Sequence, residues 1–243
     1  MNRSVVGWII AFTLAIGGAA FAWLWLAGGS GEPSTELTTP TIPIAATTES
    51  DTPDTTDTST GGFQSFVIAA GGESIASFGI DEDLRGTPQT VVGTTSEVAG
   101  QVQVDVADLS SAQFSEIVIN ARTFMTDSER RDRAIRGPVI LNSASDEFEF
   151  VTFVPTSIEG LQGSLSPGET VEFAVVGDLT IRGTTSEAMF DVVATLVDAT
   201  TIEGVAGAQV LRSDFGIGIP SVPSVANVSD EVILTLDFVA NSG

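Results

Sequence analysis

The sequence predicts an all-β fold: an antiparallel β-barrel with one short helix, preceded by an N-terminal transmembrane helix and a disordered linker. Three observations predict it. A long hairpin pattern occupies residues 170–197, several shorter segments alternate apolar with polar residues, and a 23-residue stretch near the amino end carries no charge. In the hairpin, Val171, Phe173, Val175, Leu179 and Ile181 alternate with Glu172, Ala174, Asp178, Thr180 and Arg182. A side-chain period of two over this length marks a strand with one buried face. Residues 183–187 read as a five-residue turn, after which Phe190, Val192, Ala194 and Leu196 resume the pattern. A lone hairpin cannot keep so long an apolar face in water, so other strands must cover it or curl it closed.

The remaining elements follow in order. Residues 1–30 read as a transmembrane anchor, since positions 5–27 are uncharged and Thr13 is their one clearly polar side chain. These positions span about 34 Å as a helix, enough to cross a hydrocarbon core. A cleaved secretory signal is the competing reading, with small residues at 27–30 open to a peptidase. Arg3 precedes the span, acidic residues follow it, and Trp8, Trp23 and Trp25 lie near its ends. That arrangement places the amino end in the cytoplasm and the bulk of the chain outside, at the cell surface or in the periplasm. Residues 31–62, rich in Thr, Ser, Pro and Gly with six acidic and no basic residues, read as a solvated acidic tether.

The domain at 63–241 begins with strands at 63–68 and 74–80, read as a first pair, then 89–94, 98–105 and 116–121. One helix follows, with Thr126 and Glu129 spaced as a capping box and Gly137-Pro138 as its stop. Strands return at 147–154, in the organising hairpin, at 201–212 and at 231–239. Many antiparallel strands and one short helix fit a barrel or a sandwich; long strands favour the barrel, because closure removes exposed edges.

Composition removes whole classes of chemistry. The 243 residues include no Cys, His, Tyr or Lys, which excludes disulfides, zinc sites built on His or Cys, nucleophilic triads and Schiff bases. The net charge of −23 opposes nucleic-acid binding. No cofactor and no metal are expected. Residues 81–86 start like a calcium loop, but Arg85 at the fifth position and Val92 at the twelfth break it, leaving an acidic turn. A Gly-Thr-Thr-Ser-Glu run occurs at 93–97 and at 183–187, consistent with a duplicated half-barrel or with repeated use of good turn residues.

Several motifs together resemble the YceI-like family of extracytoplasmic proteins. They are Val176-Gly-Asp-Leu-Thr-Ile-Arg-Gly183, Arg212-Ser-Asp-Phe-Gly216, Ile119-Asn-Ala-Arg-Thr123, Glu147-Phe-Glu-Phe150 and Val228-Ser-Asp-Glu-Val232. The resemblance implies a lipocalin-like barrel that holds a long-chain amphiphile such as a polyisoprenoid, with no catalytic residues. The family's early strand often carries a His where this chain runs 78–82 without one, and residues 84–92 look like an insertion.

Candidate tunnel-lining residues are Phe78, Ile80, Phe124, Phe148, Phe150, Phe173, Phe190, Phe215 and Phe238. An ordinary packed core is the competing fate of each, because an eight-stranded barrel is just wide enough either to be filled or to hold one ligand. Arg130, Arg133 and Arg136 are candidates for a head-group site, as guanidinium forks suit phosphate or carboxylate. Surface pairing with Asp127, Glu129 and Asp132 is the stronger expectation for them. Arg212 and Asp214 are expected to form a structural pair. The functional expectation is non-catalytic binding or carriage of a polyisoprenoid or other lipid outside the membrane. The alternatives are a surface-displayed interaction or adhesion module with a filled core and, less favoured, a carboxylate-pair glycosidase.

Overall fold

The computed structural model describes residues 37–42, 62–220 and 222–242. The expected transmembrane helix at 1–30 and most of the expected linker lie outside the described residues. Among the described residues, no helix is long and apolar enough to cross a membrane. Strands run over β1 (Phe63–Ile68), β2 (Ile75–Leu84), β3 (Thr87–Thr95), β4 (Val98–Asp105), β5 (Asp108–Phe114) and β6 (Ile117–Asn120). After helix α1 (Glu129–Arg136) come β7 (Phe150–Glu159), β8 (Thr170–Ile181), β9 (Thr184–Leu196), β10 (Thr201–Leu211), β11 (Val225–Ala226) and β12 (Glu231–Ser242).

Eight of these close an antiparallel barrel in the order β1-β4-β6-β7-β8-β9-β10-β12, and β12 returns to β1 through Phe66–Ser242 and Val67–Asn241. The first two strands are not partners of one another. Both lie along β12, while β3 and β4 lie along β2 and β1 respectively. They form one long bent hairpin whose tip is Arg85-Gly86, with φ of 54° and 82°. The insertion-like residues and the acidic turn are therefore this hairpin's end. Asp81 accepts from Thr90 at 2.5 Å and Asp83 from Asn227 at 2.6 Å.

The β8–β9 hairpin turns on two residues rather than five. Arg182 and Gly183 sit at φ of 51° and 73°, the left-handed pair that a tight hairpin turn needs, so Thr184 already pairs with Ile181. Thr185 then bonds across to Thr180 at 2.8 Å. The two Gly-Thr-Thr-Ser-Glu runs thus differ in setting: one opens β9, the other ends β3 and leads into β4. Strand β5 has no counterpart in the sequence reading, because Ser110, Ser111, Ala112 and Gln113 dilute its apolar alternation.

Helix α1 starts two residues later than the Thr126 capping box implies, with Ser128 as its N-cap. Thr126 serves instead as a donor to the buried Asp132 carboxylate, through its backbone N–H at 2.8 Å and hydroxyl at 2.6 Å. At one end of the barrel, Leu109, Leu161 and Leu165 are buried where the loop after β7 is bonded to the β4–β5 turn region. At the other end lie α1, residues 137–149 and the loop that precedes β12. Asp198, in the β9–β10 turn, accepts from the Thr200 backbone N–H and hydroxyl, which holds its carboxyl below the usual value.

Candidate ligand-binding cavity

Strand alternation turns one side chain in two toward the barrel axis, and those residues enclose a cavity of about 1490 Å³. Its wall is apolar over most of its length. Phe78 and Ile80 come from β2, Phe173 from β8, Phe190 from β9 and Phe238 from β12, joined by Phe124 and Phe215 from the connecting segments. Several of the rings pack against one another in pairs. Phe78 meets Phe124 edge-on at 5.4 Å between centroids, and Phe153 meets Phe190 edge-on at 4.9 Å.

Glycine on a neighbouring strand makes room for two of these rings. Phe78 pairs with Gly93 and Phe238 with Gly204. A β-carbon at Gly93 would stand 2.3 Å from the Phe78 ring, and one at Gly204 would stand 2.5 Å from that of Phe238. Each ring therefore lies flat across its neighbour strand. Laid sideways, it leaves the axis empty; an ordinary residue beneath it would push it into the lumen.

Two expected lining residues do not line the cavity. Phe148 belongs to a 3-10 turn and sits over Gly183, while Phe150 is half-buried on the β7 side opposite to Val151 and Phe153, which do face inward. The phase differs because the chain enters β7 only at Phe150, so counting alternation from Glu147 selects the wrong face. Phe153 and Phe114 line the cavity and were missed for that reason and because β5 was missed.

Charged residues gather at one end. The charged residues bordering the cavity are Glu82, Arg85, Glu129, Arg130, Arg131, Arg133 and Arg212. Glu82 closes the inward face of β2, accepting from Gln89 at 2.8 Å and pairing with Arg131 at 3.6 Å. Of the three head-group candidates, Arg130 and Arg133 border the cavity and Arg136 does not. Arg136 folds back from the last turn of α1 to donate to the Arg122 carbonyl at 3.0 Å. The expected surface pairs exist in part: Arg131 bonds Asp127, and Arg133 lies 3.7 Å from Glu129. Asp132 is buried and serves Thr126 instead. Arg212 does not pair with Asp214. It lies 3.7 Å from Asp230 and donates to the carbonyls of Ser229 and Ile217 at 2.9 and 2.8 Å.

The segment closing this end is pinned by two arginines. Arg122, 6% exposed, donates to the Ser143 carbonyl at 2.6 Å and pairs with Asp146 and the buried Glu149 at 2.5 and 3.2 Å. Arg182 donates to the carbonyls of Pro138, Val139 and Ile140 at 3.0 to 3.3 Å. Both hold in place a stretch whose Ile140 and Leu141 line the cavity.

The domain is thus a closed, eight-stranded antiparallel barrel with one short helix, hollow, apolar within and charged at one end. Residues 67–240 match the YceI-like domain, and the chain belongs to that family. The UPF0312 protein SAR2769 of Staphylococcus aureus is 32% identical over 102 residues, 42% of this chain and 51% of that protein. The match thus spans about half the length of this curated relative. Among solved structures, BcnA of Burkholderia cenocepacia superposes with a TM-score of 0.53 at 21% identity, covering 70% of this chain and 97% of BcnA. A polyisoprenoid binding domain from Saccharophagus degradans, implicated in plant cell wall breakdown, gives 0.56 at 13% identity, covering 74% and 99%. At those identities the likeness is one of fold.

Proposed function

We propose that the domain binds a long-chain amphiphile, a polyisoprenoid or another lipid, inside the barrel and carries or shields it without catalysis. The observation that carries this reading is the apolar cavity of about 1490 Å³. Pockets for drug-sized ligands run to about 1000 Å³, so this one suits something longer. Each methylene moved from water into it contributes about 0.8 kcal/mol. A chain of roughly fifteen carbons then gains on the order of 12 kcal/mol, enough for about micromolar affinity after roughly 4 kcal/mol is lost to association. The Saccharophagus domain of the same fold is described as polyisoprenoid binding, which favours that ligand class here. The cavity weighs against the interaction module with a filled core.

The setting belongs to the same proposal. The uncharged stretch within residues 1–30 anchors the chain, Arg3 stays inside, and the barrel stands outside on its acidic tether. Protease added to intact cells, or to spheroplasts where an outer membrane intervenes, should then remove the barrel and leave the anchor. Organic extraction of the purified full chain followed by mass spectrometry tests the binding. Stoichiometric lipid is the expected result; a domain that is reproducibly empty, and stays empty when offered lipid, overturns it.

A further inference from the structure

The two ends of the cavity are closed by different means. At the far end, main-chain hydrogen bonds join the loop after β7 to the β4–β5 turn region: Leu109 donates to the Gly163 carbonyl and Leu165 to that of Val106, both at 2.8 Å. Leu109, Leu161 and Leu165 are buried there. At the end near α1 the ladder of the wall stops earlier. Strand β2 pairs with β12 only as far as Ile80. Beyond it, β2 and β3 run on as a narrow ribbon to the turn at Arg85-Gly86, and Glu82 and Leu84 on this ribbon still border the cavity. One flank of the ribbon is tied by main chain. Leu84 pairs with Val225, Ser229 donates to the Asp81 carbonyl at 2.8 Å, and Arg85 donates to that of Ser224 at 2.8 Å. Toward α1, which borders the cavity through Arg131, Ala134 and the buried Ile135, the tie is of another kind.

The ribbon meets α1 through an ion pair between side chains, Glu82 with Arg131 at 3.6 Å. The two side chains are 10% and 21% exposed, so salt screens their attraction little. At 3.6 Å the contact is longer than a hydrogen bond and holds by charge. Each partner also has a second one on its own side. Gln89, across the ribbon, donates to the Glu82 carboxylate at 2.8 Å, and Asp127, one turn back along the chain, bonds Arg131. Breaking a withdrawn pair is costly above all when it strands a charge. Here parting leaves Glu82 with Gln89 and Arg131 with Asp127, so neither is stranded. The chain on both sides of α1 is held independently of this pair. Met125 exchanges main-chain hydrogen bonds with Thr94 at 2.9 and 3.0 Å ahead of it, and Leu141 donates to the Ile135 carbonyl at 2.9 Å behind it. The pair is therefore a contact that opens while its surroundings stay folded, which is what a gate requires.

We infer that Glu82 and Arg131 latch a portal between the tip of the β2–β3 hairpin and α1, through which the bound chain enters and leaves, and that their parting sets the rate of exchange. This rests on the proposed binding of a chain in the barrel, and it assigns the route that chain takes. The test uses the full chain in phosphatidylcholine nanodiscs and a dansyl-labelled geranylgeranyl ether as the probe. Stopped-flow fluorescence follows its release to vesicles carrying a quencher, and its uptake in the reverse direction, with protein-free nanodiscs as the blank. E82Q and R131Q are each expected to speed release and uptake together, about tenfold, and E82Q/R131Q to do no more than either alone. A second measurement uses the absence of cysteine from the chain. In E82C/R131C a reducible bis-methanethiosulfonate reagent bridges the two positions. The bridged protein should exchange the probe at least about tenfold more slowly than the unbridged one and recover on reduction. Both states are the same polypeptide, so this comparison decides the matter even where a glutamine variant folds poorly. Exchange at the parent rate in E82Q and R131Q, or a bridge that leaves exchange as fast as before, overturns the inference. Faster release without faster uptake also overturns it, since that marks a wall contact with the bound chain rather than a gate. A parent protein that takes up no probe overturns the proposed function itself.

Discussion

At the scale of single residues, the hollow depends on where aromatic rings are allowed to lie. Gly93 lets the Phe78 ring rest across β3, and Gly93→Ala puts a methyl 2.3 Å from a ring carbon, so the ring must swing toward the axis. The expected outcome is weaker binding of long chains, about tenfold, with a smaller loss of stability than a core truncation brings. Phe78→Ala in the same chain removes the obstructing ring and should restore the affinity, measured by titration with a fluorescent isoprenoid. No recovery in the double variant would show that the glycine acts otherwise. These pairs are invisible in the sequence, since Phe78 and Gly93 meet only through strand register. Alternation placed Phe173, Phe190 and Phe238 correctly on the inward face because each lies well inside a long strand. It failed for Phe148 and Phe150, where a 3-10 turn shifts the phase just before β7. Arg136 was misplaced for a different reason. Helical spacing sets it near Arg133, but the free carbonyls ahead of α1 draw its guanidinium away.

At the scale of elements, the stretch from 137 to 149 closes part of the cavity without regular structure of its own beyond a 3-10 turn, and its position rests on Arg122 and Arg182. Arg122 is 6% exposed and its partner Glu149 equally so. Arg122→Met takes the guanidinium away from that carboxylate, which still accepts from Asn120, and from the Ser143 carbonyl. Breaking a buried pair from one side costs on the order of 3 kcal/mol, so urea unfolding should shift by about that much. Limited proteolysis should also open first within 138–149; a shift below about 1 kcal/mol would mean the pair is dispensable. Most elements were legible in the sequence, because β8, β9, β10 and β12 are long and alternate cleanly. Strand β5 was not, since its serines and glutamine carry little apolar signal. The tight turn at Arg182-Gly183 was hidden by the threonines after it, which look like loop residues but are good strand residues.

At the scale of the whole molecule, closure and emptiness are separate properties, and only the first follows from pattern. Alternation with many antiparallel strands pointed to a barrel, and the ladder from β1 round to β12 completes it. Whether eight strands enclose a packed core or a void depends on how rings and glycines meet across the wall, which no single segment encodes. The central claim is that this void is matched to a hydrocarbon tail, and chain length tests it most directly. A series of neutral isoprenols and straight-chain alcohols of increasing length should bind the lipid-free protein one to one. Affinity should climb up to about fourfold per added methylene, from about 0.8 kcal/mol each, and then level off once the cavity of about 1490 Å³ is full. Affinity that stays flat with length, or binding that never saturates at one chain per barrel, would contradict the account.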